Sequence, residues 1–135
     1  MFGDKNREIV NDFFNYFSSG DSVSVLKLLD EDVVWQAMGT MGGDPMSVKR
    51  NKQEIADLVH KMHTTIKNGI KLTPLAFTCE GERVAVEVQG KGVVIASGKS
   101  YDNFYHFLFV IKDDRIVEIK EYMDTLHAKC VFIDK

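Results

Sequence analysis

The chain has 135 residues, a net charge of −3 and a pI near 5.8, which fits one domain spanning residues 1–135 and leaves no basic surplus for nucleic acid. Hydrophobic residues make up 44% and charged residues 27%, an ordinary globular composition that argues against disorder. No apolar run approaches the ~18 residues of a membrane span, the charged residues 1–8 lack the core of a secretion signal, and Cys79 and Cys130 form neither a C-x-x-C pair nor a disulfide framework, so a cytoplasmic protein whose reduced thiols simply pack is the expectation.

In residues 5–18, Ile9, Val10, Phe13, Phe14 and Phe17 recur at helical spacing and form one apolar stripe. Gly20 is placed to end this helix, and Asp21 or Ser22 to cap a second one carrying Val25, Leu28 and Leu29. Asp30-Glu31-Asp32 should end that helix, with Val33-Val34-Trp35 as a short strand. Residues 39–51 hold four of the glycine and proline residues of a mobile flap, Gly39, Gly42, Gly43 and Pro45. A third helix follows at about 52–67, with Ile55, Leu58, Val59, Met62 and Ile66 on one face. The rest of the chain is strand-like: 70–79, 83–95, 100–111 and 115–124, joined by short turns. Gly90 and Gly92 interrupt the alternation of the second of these and suggest a bulge or bend. Helices followed by consecutive strands predict an α+β fold with an antiparallel sheet.

Strand parity assigns the faces. Tyr101, Asn103, Tyr105, Phe107 and Phe109 share one side of their strand, and Phe104, His106, Leu108 and Val110 the other. Both sides are apolar, yet three helices cover only one face of a long sheet. A homodimer through the outer face follows as the economical expectation. In the last strand Glu121 shares a face with Val117, Ile119 and Met123. A carboxylate there needs a partner, a hydrogen bond or a cavity; the other reading puts it at the strand's mouth, reaching solvent or a Lys or Arg.

Several motifs, in order, resemble the SnoaL-like polyketide cyclase and ketosteroid isomerase-like group of the nuclear transport factor 2-like superfamily. They are Ser19-Gly20-Asp21, the stretch from Leu28 to Trp35, the stretch from Gly98 to Tyr105, and the stretch from Asp114 to Asp124. The likeness covers residues 5–126. It implies a cone: a strongly curved, mixed or antiparallel sheet wrapped on three N-terminal helices, in the cystatin-like class. It also implies a pocket at the open end and dimers through the outer face. By the same resemblance, the helix-one tyrosine of ketosteroid isomerases falls at Phe13, the base aspartate at or beside Ala37, and the second aspartate near Tyr105 or His106. Without these groups the isomerase reaction on steroids is not expected. The last-strand acid of limonene-epoxide-hydrolase-like members matches Glu121, but their Arg/Asp pair has no counterpart around Asn103 and Tyr105, and Lys49-Arg50-Asn51-Lys52 replaces the usual glycine-bearing loop.

The expected site therefore has Glu121 as acid or base, with Trp35, His63, Asn103 and Tyr105 around the substrate. Each has a plainer reading: Trp35 as core, His63 as a half-exposed shoulder of helix three, Asn103 and Tyr105 as partners of buried backbone. His60 and His127 read as surface residues, and His106 as an interface residue. No metal ligand set is expected from His60 and His63 alone, no phosphate loop follows Gly39-x-x-Gly42-Gly43, and no cofactor is called for. Met38, Met41 and Met46 suit a lid over an apolar ligand. These residues predict a pocket for a small, apolar, oxygenated molecule and an acid–base enzyme of isomerase, cyclase or hydrolase type. The alternative is a non-catalytic ligand-binding or dimeric assembly module of the same fold.

Overall fold

The computed structural model describes residues 2–135. Four helices and six strands follow in the order α1 (Phe2–Ser19), α2 (Ser22–Leu28), β1 (Leu29–Met38), β2 (Ser47–Arg50), α3 (Lys52–Thr65), β3 (Lys71–Glu80), β4 (Arg83–Val93), β5 (Ser100–Lys112), β6 (Arg115–Met123) and α4 (Thr125–Phe132). The strands form one curved, open sheet in the order β2-β1-β6-β5-β4-β3. All neighbours are antiparallel except β1 and β6, which run parallel. The mixed sheet on N-terminal helices agrees with the expectation from sequence.

The apolar stripe of α1 packs into the concave face. Phe13 and Phe14 meet Phe109 edge-on at 5.4 and 5.5 Å, and Phe14 meets Phe107 at 5.1 Å. These rings are fully enclosed, and truncating any one of them should cost about 3–5 kcal/mol through lost burial and the cavity left behind. The helix ends follow local chemistry. Asp21 caps α2 by accepting from Ser24 N, and Asn51 with Glu54 forms a reciprocal capping box on α3.

Four elements depart from the sequence reading. α2 stops at Leu28, and the acidic triplet Asp30-Glu31-Asp32 lies inside β1 rather than ending the helix. Pairing of Leu29 with Ile116 starts the strand early, and a register shift before Val34 absorbs the triplet, where Asp30 Oδ2 accepts from Asp32 N at 3.0 Å. The expected flap contains β2, which pairs with the end of β1 from Trp35–Arg50 to Met38–Ser47. No bulge occurs at Gly90 or Gly92, whose pairing with β5 is unbroken; the irregularity lies on β3 between Pro74 and Ala76. The glycines answer to close approach instead. A Cβ on Gly90 would meet Tyr105 Cε1 at 2.8 Å, and one on Gly92 would meet Ile66 Cγ2 at 2.4 Å. Finally, α4 follows β6. Asp124 starts it by accepting from His127 N, and its Ala128 and Val131 are buried.

Candidate functional site

The strand register brings adjacent rows of inward-facing side chains together across the sheet, with the Ala37–Glu121–Phe107 row in the middle. Arg50 on β2 lies opposite Trp35 on β1, Ala37 on β1 lies opposite Glu121 on β6, and Glu121 lies opposite Phe107 on β5. Tyr105 stands two residues further along β5, on the same face. Above this row is a cavity of about 180 Å³, walled by α3 through Leu58 and Met62, by the β1–β2 connection through Asp44 and Pro45, and by the end of α4 through Phe132 and Ile133. Trp35, Arg50, Tyr101, Tyr105 and Glu121 all line it.

Glu121 is 8% exposed. Trp35 Nε1 donates to its Oε1 at 3.0 Å. Burial pushes its pKa up from 4.5 to about 7, against the indole hydrogen bond and the Arg50 charge, which pull it down; Asp44 adds a smaller upward push. Near neutral pH this carboxyl is divided between its two forms, which suits both giving and taking a proton.

Opposite lies a neutral donor system. The hydroxyls of Tyr101 and Tyr105 are hydrogen-bonded to each other. Asn103 Nδ2 donates to Tyr101 Oη at 2.9 Å and to the backbone carbonyl of Asp124 at 3.1 Å, while its Oδ1 accepts from Phe104 N. Burial is the chief cause that pushes Tyr101 up to about 12 and Tyr105 well above its ordinary value, so both stay protonated. With the amide of Asn103 occupying Tyr101 Oη, one hydroxyl proton of the pair can be offered to the cavity.

The structure thus brings Glu121, Trp35 and Tyr105 together around one space. Asn103 does not line it and acts on it through Tyr101. His63 also lies outside the lining. Its ring sits between two glycines of positive φ, Gly20 (φ 76) and Gly69 (φ 78), each so close that a Cβ would come within 2.5 Å of Nε2; Nε2 is also 3.4 Å from the Ser18 carbonyl oxygen. That is a packing position joining the ends of α1 and α3. Nor are the methionines arranged as a lid. Met46 is buried under the hairpin, Met41 is 82% exposed, and Asp44 and Pro45 face the cavity instead. His127, expected at the surface, is half-buried, stacks on Tyr101 at 5.3 Å and accepts from Asp102 N. Cys130 is exposed rather than packed.

Reading from sequence missed Arg50 and Asp44. Arg50 is 6% exposed, and its Nη2 donates to Asp44 Oδ1 at 2.6 Å. The one signal was the basic run from Lys49 to Lys52, in which alternation along β2 would have turned Arg50 away from Lys49. Among the described residues no group of three or more His, Cys, Asp or Glu is placed to hold a metal, and no helix is long and apolar enough to cross a membrane.

Residues 10–119 match the family of SnoaL-like domains. An NTF2-like protein from Burkholderia xenovorans LB400 shares the fold with a TM-score of 0.77 at 25% identity, over 96% of each chain. PrhC from Penicillium brasilianum superposes with a TM-score of 0.85 at 18% identity, over 97% of this chain and 87% of its own. An LEH-like epoxide hydrolase from M. tuberculosis gives 0.76 at 18% identity, over 93% and 86%. No curated protein matches the sequence.

Proposed function

The chain belongs to the SnoaL-like domain family, and on that premise we propose that it is a cofactor-independent acid–base enzyme acting on a small, largely apolar, oxygenated substrate. The observation that carries the reading is Glu121: a carboxyl enclosed in an otherwise apolar strand face, held by the Trp35 indole, opening onto a cavity and poised near pH 7. Glu121 in its ionised form takes a proton from a carbon next to a carbonyl. The C–H electron pair moves into the carbonyl, and the developing oxyanion is met by the Tyr105 hydroxyl. Protonated Glu121 then returns the proton, to another carbon in an isomerisation or to an oxygen in an elimination or ring closure. The same carboxylate can activate water, as a hydrolase would require.

The cavity volume limits the substrate. A space of roughly 150 Å³ admits benzene, so about 180 Å³ suits a monocyclic or short-chain molecule. Steroid isomerisation is not part of this reading, because by the resemblance Phe13 and Ala37 stand at or beside the positions of the isomerase donor and base. Glu121→Gln should lower turnover by ~10²–10⁴-fold with the fold intact. Carboxyl titration by NMR supplies a test that needs no substrate: a Glu121 titrating near the exposed value of ~4.3 removes the reading.

The outer face supports a second proposal, pairing of two copies. Phe104 (61% exposed) and Tyr122 are bare there, beside His106 and Leu108. Exposed aromatics on the outer face of two paired strands, β5 and β6, are what a symmetric sheet-to-sheet interface would cover.

A further inference from the structure

Arg50 is the cavity's least explained group. Its side chain is enclosed, yet among the described residues only Nη2 has a partner, the half-exposed Asp44. A guanidinium carries five N–H donors in a planar fork, and leaving them unpaired away from water is costly. No buried nitrogen is sealed off without a partner, so the free edge of Arg50 opens onto the space it lines. That edge has the geometry that receives a carboxylate through two parallel hydrogen bonds.

The sheet register gives this donor a direction. Arg50 stands on β2 at one side of the Glu121 row, and Tyr105 on β5 at the other. A molecule reaching from one to the other passes Glu121. Charge completes the pattern. The ionisable groups of the wall, apart from the two tyrosines, are Arg50, Lys61, Asp44 and Glu121. Their charges sum to zero with Glu121 ionised and to one positive charge with it protonated, so a monoanion is received best by the protonated form and raises the basicity of Glu121 once bound.

We propose that the substrate is a small monocarboxylate with a second, neutral oxygen function, its carboxylate on Arg50 and its carbonyl or hydroxyl at Tyr105, so that the intervening carbon presents its hydrogen to Glu121. This deepens the acid–base reading and rests on it for the role of Glu121, but the Arg50 subsite stands on its own geometry. Asp44 holds one hydrogen of Nη2, and its negative charge beside the fork weakens the pull of Arg50 on a second carboxylate.

The test compares two probes of one size, benzoate and benzyl alcohol, by NMR titration at pH 6. Benzoate should bind at least about tenfold more tightly, the scale of one charge-assisted hydrogen bond. Arg50→Gln should erase the preference while leaving benzyl alcohol binding unchanged. Asp44→Asn, which retains Arg50, the one buried cation among the described residues, should tighten benzoate alone and serves if Arg50→Gln does not fold. Equal binding of the two probes, a preference that survives Arg50→Gln, or binding of neither overturns the proposal. Titration of Glu121 in the same samples judges the acid–base reading separately. A value near 7 without benzoate preference removes only the carboxylate subsite; a value near ~4.3 with the preference intact removes only the acid–base role.

Discussion

Ala37 and Glu121 are register partners across the parallel β1–β6 pair. By resemblance to ketosteroid isomerases the base belongs at or beside Ala37; here the carboxyl at this level of the sheet is on the neighbouring strand. The acid therefore enters the cone from the neighbouring strand, where Trp35 Nε1 from β1 can reach it.

The raised pKa of Glu121 makes stability depend on pH. Its folded value of about 7 exceeds the ordinary 4.5, so the unfolded chain releases the proton first. Its contribution is full below pH ~4.5 and is lost as pH rises to about 7, a change of roughly 3 kcal/mol for a shift of this size. Denaturant melts between pH 4.5 and 8 should show wild type losing stability across that window and Glu121→Gln losing much less. A flat wild-type profile contradicts a buried, proton-holding Glu121.

Trp35→Phe removes the one donor that favours the carboxylate form. The Glu121 pKa should then climb above 7, because burial remains while an opposing cause is gone. Where Glu121 acts as base, the rising limb of the pH–rate profile should move to higher pH. Stability at pH 8 should fall by about 1.5–3 kcal/mol, the range for a hydrogen bond to a charged group.

Gly90→Ala should disturb the site from behind. The new Cβ would stand 2.8 Å from Tyr105 Cε1 and 3.1 Å from Leu72 Cδ2, so the Tyr105 ring must move. We expect a loss of about 1–3 kcal/mol by overpacking, and chemical-shift changes at Tyr101 and Asn103, to which Tyr105 is linked. Restored stability in the double variant with Tyr105→Leu would locate the clash at that ring.

Leu108→Arg tests pairing of two copies. A charge set into a desolvated interface without a partner is strongly unfavourable, so sedimentation should find dimers for wild type at micromolar concentration and monomers for the variant, with thermal melts of the monomer still cooperative. Wild-type monomers at that concentration end the proposal.

Period and parity determined most of the architecture. The 3.6 spacing of Phe13, Phe14 and Phe17 names the buried face of α1, and period-two alternation puts Tyr105 and Phe107 inside and Phe104 outside, because both signals are local consequences of backbone geometry. Glu121 was legible for the same reason: a carboxylate breaks an apolar face. Tertiary structure decided the rest. Arg50 looks like one cation in a basic run until β2 pairs with Trp35 and turns it inward. His63 looks like a shoulder residue until two helix ends close on it. Asn103 looks like a ligand until α4 arrives and its amide is taken by Tyr101 and the Asp124 carbonyl. Each depends on contacts between residues far apart in the chain, which spacing along the chain does not encode.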